Sequence, residues 1–122
     1  MNKRKALLEE NRLLQEVIHM SRYGNKEGCI KINPHNSLVH EQTKLAVAHK
    51  LMNLGYSIWS EVQFRNKKQG DILAIQNGVG FIIEILHSES DERYNAKLSS
   101  YPNVFTMVKV RTKDFDYDTF CL

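Results

Sequence analysis

Residues 71–86 read DILAIQNGVGFIIEIL, and this stretch decides the fold. Two runs rich in apolar and β-branched residues flank Asn77-Gly78, and an Asn-Gly pair between such runs predicts a β-hairpin with a two-residue type I′ turn. The second run, 81–86, is apolar on both faces apart from Glu84. That pattern is typical of a strand inside a sheet that is covered on both sides.

The turn also determines which residues of the two strands face each other. With a two-residue turn, Gln76 pairs with Val79, and counting outward along both strands places Asp71 opposite Glu84. Directly opposed side chains share a face and have Cβ atoms about 5 Å apart, so two like charges there are destabilising unless something neutralises them. On a buried strand, a proton or a cation is predicted to do so.

The sequence on either side of the hairpin predicts the rest of the fold. The predicted elements are an amphipathic helix at 3–22, a short edge strand at 29–32, a helix from an N-cap at Asn36 or Ser37 to Gly55, strands at 56–64, 71–76 and 79–86, a helix from about 88–91 to 100, and a strand at 104–110. This order predicts an α/β fold with a central mixed β-sheet flanked by helices. The acidic tail, 114–122, is predicted to be a loosely packed cap.

Two further predictions concern packing. The N-terminal helix either packs on the rest of the fold or forms a dimer contact. In the strand at 56–64, alternation predicts that Ile58 and Val62 face one side of the sheet while Trp59 and Glu61 face the other.

A third acid, Glu41, falls inside the apolar stripe of the second predicted helix. At 100° per residue that stripe comprises Leu38, Leu45, Ala48 and Met52. A carboxylate there is costly to bury without a partner, and the stripe must pack on the sheet that carries Asp71 and Glu84. Three converging carboxylates predict a site for a hard divalent ion such as Mg²⁺. The competing interpretation gives Glu41 an arginine partner and Asp71 a role in a turn, but it leaves Glu84 in an apolar strand without a role.

The composition sets limits on the class of protein. The chain has 122 residues, of which 42% are hydrophobic and 25% charged, which predicts one ordinary globular domain. It has no apolar run of about 20 residues and no signal-peptide core, so we expect a cytoplasmic protein with no membrane partner. Cys29 and Cys121 are too few for a disulfide framework and are expected to be reduced. His40 and His49 project to nearly opposite sides of their helix, which excludes a shared zinc ion.

The net charge of +3 is unevenly distributed. Residues 1–70 carry 12 Lys and Arg against 6 Asp and Glu, whereas residues 71–122 carry 5 against 8. A basic N-terminal part fits a polyanionic partner such as DNA. Within it, Arg65, Lys67 and Lys68 form a basic loop that is predicted either to contact phosphates or simply to be solvated.

Four short motifs and the order of the elements lead to a known family. The motifs are NSLVHE at 36–41, LGY at 54–56, QGDILA at 69–74 and GFIIEIL at 80–86. Over about residues 37–110 the chain resembles the PD-(D/E)XK nuclease superfamily, and within it the archaeal Holliday junction resolvases and related archaeal viral nucleases. The resemblance implies a restriction-endonuclease-like domain at 29–122, preceded by an extra helix and loop at 1–28.

The resemblance also implies roles for the three acids. Glu41 matches the helix acid of the family, Asp71 the first strand acid and Glu84 the second. Together they would hold Mg²⁺, for which Mn²⁺ would substitute, and catalyse phosphodiester hydrolysis in DNA.

One position departs from the family pattern. The family has a lysine two residues after the second strand acid, where this chain has Leu86. Members of the superfamily sometimes carry this lysine on the following helix, which makes Lys97 the main candidate for orienting water and stabilising charge on phosphate. Gln69, opposite Leu86 in the hairpin register, and Lys44 are weaker candidates, and His87 is a poor one because it points to the opposite face of the strand. A lysine that only lies at the surface is the competing interpretation of Lys97.

The sequence therefore predicts a Mg²⁺-dependent DNA endonuclease that acts on branched or structured DNA as a homodimer, because two sites can address two strands. Arg93, one turn before Lys97, is a further candidate for contact with phosphate. Two alternatives stay open. One is a catalytically inactive module of the same fold that binds DNA or protein, and the other is an assembly protein in which the acids are incidental.

Overall fold

The computed structural model of the protein describes residues 2–17, 26–65 and 68–122. Its elements are helix α1 (Lys3–Leu14), helix α2 (Leu38–Asn53), strands β1 (Ser57–Gln63), β2 (Gln69–Gln76) and β3 (Val79–Leu86), helix α3 (Asp91–Lys97) with a 3₁₀ turn (Leu98–Ser100), and strand β4 (Thr106–Arg111). The strands form one sheet in the order β1-β2-β3-β4. The first three are antiparallel and β4 is parallel to β3, so the predicted α/β class and mixed sheet are confirmed.

The hairpin forms in the predicted register. Gln76 pairs with Val79 and Ile72 with Ile83. Asn77 and Gly78 have φ of 51° and 79°, which are the two positive values that a type I′ turn requires. Local turn chemistry therefore fixes the two strands that carry the acids.

Helix α2 begins and ends where the sequence predicts. The Ser37 side chain accepts a hydrogen bond from the His40 backbone N–H at 3.1 Å, which is the N-cap contact. After Asn53 the chain leaves the helix through Gly55, whose φ of +93° is a left-handed conformation that glycine adopts without cost.

The sheet carries an apolar cluster on each face. Val47, Ala48 and Leu51 of α2 pack against one face. Leu13 and Val17 pack against the other, in a cluster completed by Tyr101 and Phe105. The sheet is thus a middle layer between helices, and β3 is an interior strand covered on both sides, as its apolar sequence predicts. Of the two interpretations of the N-terminal helix, the structure shows packing on the sheet.

Three predicted boundaries or contacts are wrong. Helix α1 ends at Leu14, earlier than predicted, because Val17 already forms a bridge with Phe64; residues 18–22 of the predicted helix include positions outside the described residues. The edge strand at 29–32 is absent from the described chain, because the Ser60 hydroxyl binds this segment in place of a ladder. It accepts from the Lys31 N–H at 2.7 Å and donates to the Cys29 carbonyl at 3.2 Å. The tail is also more firmly attached than predicted, since Phe115, Phe120 and Leu122 pack against the α2 side of the core.

The buried face of α2 differs most from prediction. Leu38, Leu45 and Met52 of the predicted inward stripe are 72%, 52% and 41% exposed. The inward face instead includes His40, Glu41, Thr43 and Lys44 in the first half of the helix, followed by Val47, Ala48 and Leu51. Burial of the charged residues is possible because they bind one another, as described next.

Candidate active site

Asp71 and Glu84 lie together where β2 and β3 separate. The ladder pairs Ile72 with Ile83, and beyond this pair one Asp71 oxygen, Oδ2, accepts a hydrogen bond from the Ile85 backbone N–H at 2.8 Å. The Asp71 and Glu84 carboxyl groups are close enough that each shifts the pKa of the other. Two acids in such a contact need a proton or a cation between them, as the hairpin register predicts.

The two carboxyl groups titrate very differently. Burial, followed by the negative charge of Asp71, raises the pKa of Glu84 to about 9. Burial would also raise the pKa of Asp71, but the hydrogen bonds from His40 and the Ile85 N–H outweigh it, and the pKa of Asp71 is lowered. At neutral pH the pair therefore retains one proton.

Tyr101 supports the Glu84 end of this pair. Its hydroxyl lies 2.7 Å from Glu84 Oε1 and 3.2 Å from the backbone oxygen of Gln69. Burial and the neighbouring Glu84 raise the pKa of the Tyr101 phenol, so it remains a donor. Tyr101 follows the 3₁₀ turn after α3, so the segment after the helix fixes an acid on β3.

Glu41 belongs to a second charged cluster, whose centre is Lys44. Lys44 is fully buried, and its Nζ lies 2.5 Å from Glu41 Oε2, 2.7 Å from Glu61 Oε1 and 2.8 Å from the Lys31 carbonyl oxygen. The Lys44 ammonium donates hydrogen bonds to Glu61 Oε1 and to the Lys31 carbonyl, whereas its contact with Glu41 Oε2 is an ion pair without hydrogen-bond geometry. The other Glu41 oxygen, Oε1, accepts from the Asn36 amide at 2.8 Å.

Glu61 reaches Lys44 because β1 changes its alternation. Glu61 has a φ of +50°, which is left-handed and costly for a residue with a Cβ. Ile58 packs on the α2 side of the sheet, whereas Trp59 and Val62 both pack on the opposite side. The prediction that Ile58 and Val62 share a face is therefore wrong, because the conformation of Glu61 interrupts the two-residue repeat.

His40 lies between the two clusters. Its Nδ1 is 3.4 Å from Glu41 Oε1, and its Nε2 is 3.4 Å from Asp71 Oδ2. Burial would lower the pKa of His40, but the hydrogen bond and charge of Asp71, together with the charge of Glu41, raise it. The structure thus places Glu41 next to His40, and His40 next to Asp71.

These groups line a cavity of about 340 Å³ that opens to solvent. Its walls are formed by His35, Asn36, Ser37, His40, Asp71, Glu84, Ile85, His87, Ser88, Glu89 and Lys97. Lys97 is 43% exposed, and its Nζ lies 2.5 Å from Glu89 Oε1. The main candidate for the missing lysine is therefore found beside Asp71 and Glu84, although an ion pair holds it.

The other lysine candidates lie elsewhere or have other partners. Leu86 is 1% exposed and belongs to the core. The Gln69 amide is 3.2 Å from Glu61 Oε2 and so is turned to the Lys44 cluster. Lys44 itself is held by Glu41 and Glu61. His87 lines the cavity, despite the prediction that it points away, because it follows the last residue of β3.

The residues predicted to contact DNA have different environments. The Arg65 guanidinium donates to the Gln15 carbonyl, which ties it to the end of α1. Lys68 and Arg93 are exposed. Lys67 lies outside the described residues.

The donor set was tested for a divalent cation. Within the described part of the chain, no group of three or more His, Cys, Asp or Glu side chains is arranged to hold a metal ion. Glu41, the predicted third ligand, instead contacts Lys44 and Asn36. Asp71 and Glu84 nevertheless fit Mg²⁺, which proteins commonly bind through one or two carboxylates together with water.

A larger cavity, of about 440 Å³, lies between β4 and the tail. Its two cations, Lys109 and Arg111, both pair with Asp91. Because its charges are already paired at an exposed edge, we assign the chemistry to the smaller cavity, which holds the buried acids.

Sequence reasoning missed His40, Glu61 and Tyr101 and undervalued Lys44. A signal for two of them exists, since His40, Glu41 and Lys44 are ionisable residues on one helix face. Glu61 and Tyr101 are distant in sequence from the residues they contact, Lys44 and Glu84 respectively, and no local pattern connects them.

Comparison of the chain with protein-family models, with curated proteins and with solved structures finds no match. Among the described residues, no helix combines the length and apolar character needed to cross a bilayer.

Proposed function

We propose that this protein is a Mg²⁺-dependent endodeoxyribonuclease that hydrolyses phosphodiester bonds in branched or structured DNA. One observation carries the proposal. The neighbouring carboxyl groups of Asp71, which is half-buried, and Glu84, which is buried, have shifted pKa values and line a cavity that Lys97 also lines. Perturbed carboxyl groups in an open cavity, with a cation beside them, are often found at catalytic sites.

Asp71 and Glu84 are the residues that would hold the metal ion. When bound, such an ion activates water and offsets charge on a scissile phosphate. Asp71 is oriented for this role by the Ile85 N–H and by His40. Tyr101 holds the Glu84 carboxyl group from the opposite side.

Glu41 receives a positioning role in this proposal. It contacts His40 at 3.4 Å, and His40 contacts Asp71 at the same distance. Lys44 and Asn36 fix both Glu41 oxygens, so Glu41 can hold the His40 ring against Asp71. Its predicted role as a direct metal ligand would require it to leave Lys44.

Lys97 is proposed to take the part of the missing lysine. Its ammonium group lies in the cavity wall, and its charge already lowers the pKa of Glu84 in part. Glu89 holds it at 2.5 Å, so a phosphate that enters the cavity would compete with Glu89 for this cation. A cation at that position orients water and stabilises charge that develops on phosphate.

DNA cleavage is the direct test. The protein is incubated with four-way junction, flap and linear duplex DNA in Mg²⁺, in Mn²⁺ and in EDTA. We expect metal-dependent cleavage that falls by at least about 100-fold in Asp71→Asn, Glu84→Gln and Lys97→Ala. Glu92→Gln, an exposed acid on the same helix as Lys97, is the matched control and should cleave normally.

A second measurement is independent of cleavage. Because a ligand that binds only the folded state stabilises it, Mn²⁺ should raise the melting temperature of the wild type but not that of Asp71→Asn. Metal-independent cleavage, or a melting temperature that Mn²⁺ raises equally in Asp71→Asn, would contradict the assignment of these acids.

A second candidate function is a catalytically inactive module of the same fold that binds DNA or protein. It is favoured by Leu86, which is buried where the family has its lysine, and by the pairing of Lys97 with Glu89. This function predicts binding to DNA without cleavage of any of the three substrates in either metal.

A further inference from the structure

The outer face of α2 is unusual for a helix that faces water. All residues of this helix are described, and its exposed positions are Leu38, Val39, Gln42, Leu45, His49, Met52 and Asn53. None of them is Asp, Glu, Lys or Arg. A solvent-facing helix surface is normally charged or polar, whereas exposed apolar patches with few charges mark sites of interaction.

Two of the charged residues of α2 lie on its inner side, and the third lies against the tail. Glu41 and Lys44 are buried against each other. Lys50 is half-buried and lies over the Tyr117 ring, 4.9 Å from its centroid. Leu38, Leu45 and Met52 therefore lie exposed on a helix whose Glu41 and Lys44 are buried.

Apolar grooves flank Leu45 on both sides. One, of about 330 Å³, lies between Leu45 and the preceding loop and is lined by Ile32, Pro34 and Leu38. The other, of about 430 Å³, lies between Leu45 and the tail and is lined by His49 and Tyr117. A ridge with a groove on each side is the shape that another helix packs against.

We propose that this face binds the same face of a second copy of the chain, so that α2 pairs with α2 across a twofold axis near Leu45. The exposed stripe is symmetric about that residue, because Leu38 lies seven positions before it and Met52 seven positions after. An antiparallel pair would therefore place Leu38 of each subunit near Met52 of the partner subunit. A twofold interface requires such a self-complementary patch.

Charge and size favour a second copy over other occupants. Apart from the half-buried Lys50 at the Tyr117 edge, the exposed positions of α2 carry no cation, which does not suit nucleic acid, since nucleic acid binds chiefly through Lys and Arg. A face whose exposed positions are uncharged can meet its own copy with little repulsion. The 16 residues of α2 span about 24 Å. The grooves on either side of Leu45, lined by Ile32 and by Tyr117, widen the available surface beyond the helix itself.

This inference supplies a surface for the homodimer expected of a nuclease that addresses two strands, but it does not rest on nuclease chemistry. Ser37 and His40, at the start of α2, line the cavity of the candidate active site. Because Leu38 and Met52 are 14 residues apart, the pair would hold the two cavities at opposite ends of a contact about 21 Å long.

Sedimentation equilibrium on the full chain, at about 1–100 μM, tests the proposal. We expect a dimer for the wild type and at least about tenfold weaker association for Leu45→Glu and for Leu45→Lys, with unchanged circular dichroism. Because residue 45 lies near the axis, an equimolar mixture of Leu45→Glu and Leu45→Lys should associate more tightly than either variant alone. Leu8→Glu is the matched control, since Leu8 is 61% exposed on α1, and it should dimerise as the wild type does.

Three other results are distinguishable. A wild type that stays monomeric over this range overturns the proposal, and so does a dimer that persists in Leu45→Glu but dissociates in Leu8→Glu. A protein that dimerises as proposed yet cleaves no DNA would contradict the nuclease function and leave the α2 interface standing.

Discussion

At the scale of single residues, Glu84 has the clearest measurable consequence. Its folded-state pKa of about 9 lies above the ordinary value of 4.5, so its contribution to stability is present below about pH 4.5 and is lost as pH rises toward 9. Glu84→Gln keeps the shape of the side chain but does not titrate. We expect the free energy of unfolding of Glu84→Gln, minus that of the wild type, to grow by about 1–3 kcal/mol between pH 5 and pH 8.5.

Urea unfolding followed by circular dichroism at several pH values measures this difference. Glu92→Gln removes an exposed carboxyl group instead, and its difference from the wild type should vary little with pH. If Glu84→Gln also shows a constant difference, the shared proton of Asp71 and Glu84 is not present in the folded protein.

Lys44 is the residue on which the second charged cluster depends. Lys44→Met keeps a side chain of similar length but leaves Glu41 and Glu61 without their common cation. Breaking a buried ion pair by removing one partner typically costs about 3–5 kcal/mol, and we expect a loss of that size in the free energy of unfolding. The triple variant that adds Glu41→Gln and Glu61→Gln should recover most of the loss.

The same urea titration decides this prediction. Lys50→Met is the matched control on the same helix, because Lys50 makes only a carbonyl contact at 3.3 Å and a contact with a ring; it should lose less than about 1 kcal/mol. A Lys44→Met variant as stable as Lys50→Met would show that the cluster does not stabilise the fold.

The residue scale also shows what sequence could and could not predict about the site. Asp71 and Glu84 were predictable because a two-residue turn fixes their register. The partners of Glu41 were not, because helical periodicity tells which residues share a face but not which face is buried. On α2 the face that carries Leu38 and Leu45 is apolar in sequence, and the face that carries Lys44 is charged. The structure nevertheless buries the face that carries Lys44.

At the scale of elements, the interruption in β1 connects the fold to the site. Ser60 still pairs with Ile72 and Val62 with Gly70, so the strand keeps its register through the left-handed residue Glu61. The conformation turns the Glu61 carboxylate to Lys44, and this contact offsets the cost of the positive φ.

Two substitutions separate the backbone cost from the contact with Lys44. Glu61→Gly and Glu61→Ala both remove the carboxylate, but only glycine adopts a φ of +50° without strain. Although glycine in a strand is usually less stable than alanine, we expect Glu61→Gly to be more stable than Glu61→Ala by about 1 kcal/mol in urea unfolding. An alanine variant more stable than the glycine variant would mean that residue 61 does not adopt this conformation.

Elements differed in how well the sequence predicted them, and the range of the interactions explains why. The hairpin and the ends of α2 depend on adjacent residues such as Asn77, Gly78 and Ser37, and these predictions are confirmed. The segment at 29–32 depends on a hydroxyl about 30 residues away, that of Ser60. Its lack of strand pairing could not be predicted from local sequence.

At the scale of the whole molecule, the uneven charge becomes testable through DNA binding. Residues 1–70 hold the excess of cations, and each cation that contacts a phosphate adds close to one unit to the slope of log K against log salt. Arg93 is exposed, whereas Arg65 donates to the Gln15 carbonyl. We therefore expect Arg93→Ala to reduce the slope by about 1 and Arg65→Ala to reduce it by less. Lys68→Ala, at an exposed position near Arg65, should also reduce the slope.

Fluorescence anisotropy with a labelled four-way junction, between about 50 and 200 mM salt and in EDTA to prevent cleavage, gives these slopes. Lys113→Ala is the matched control, because Lys113 is an exposed lysine that is not among the residues predicted to contact DNA, and it should leave the slope unchanged. A slope that falls equally in all four variants would show that the protein binds DNA through its net charge alone. A slope that only Arg65→Ala reduces would instead mean that Arg65 leaves Gln15 to bind phosphate, with α1 released at that end.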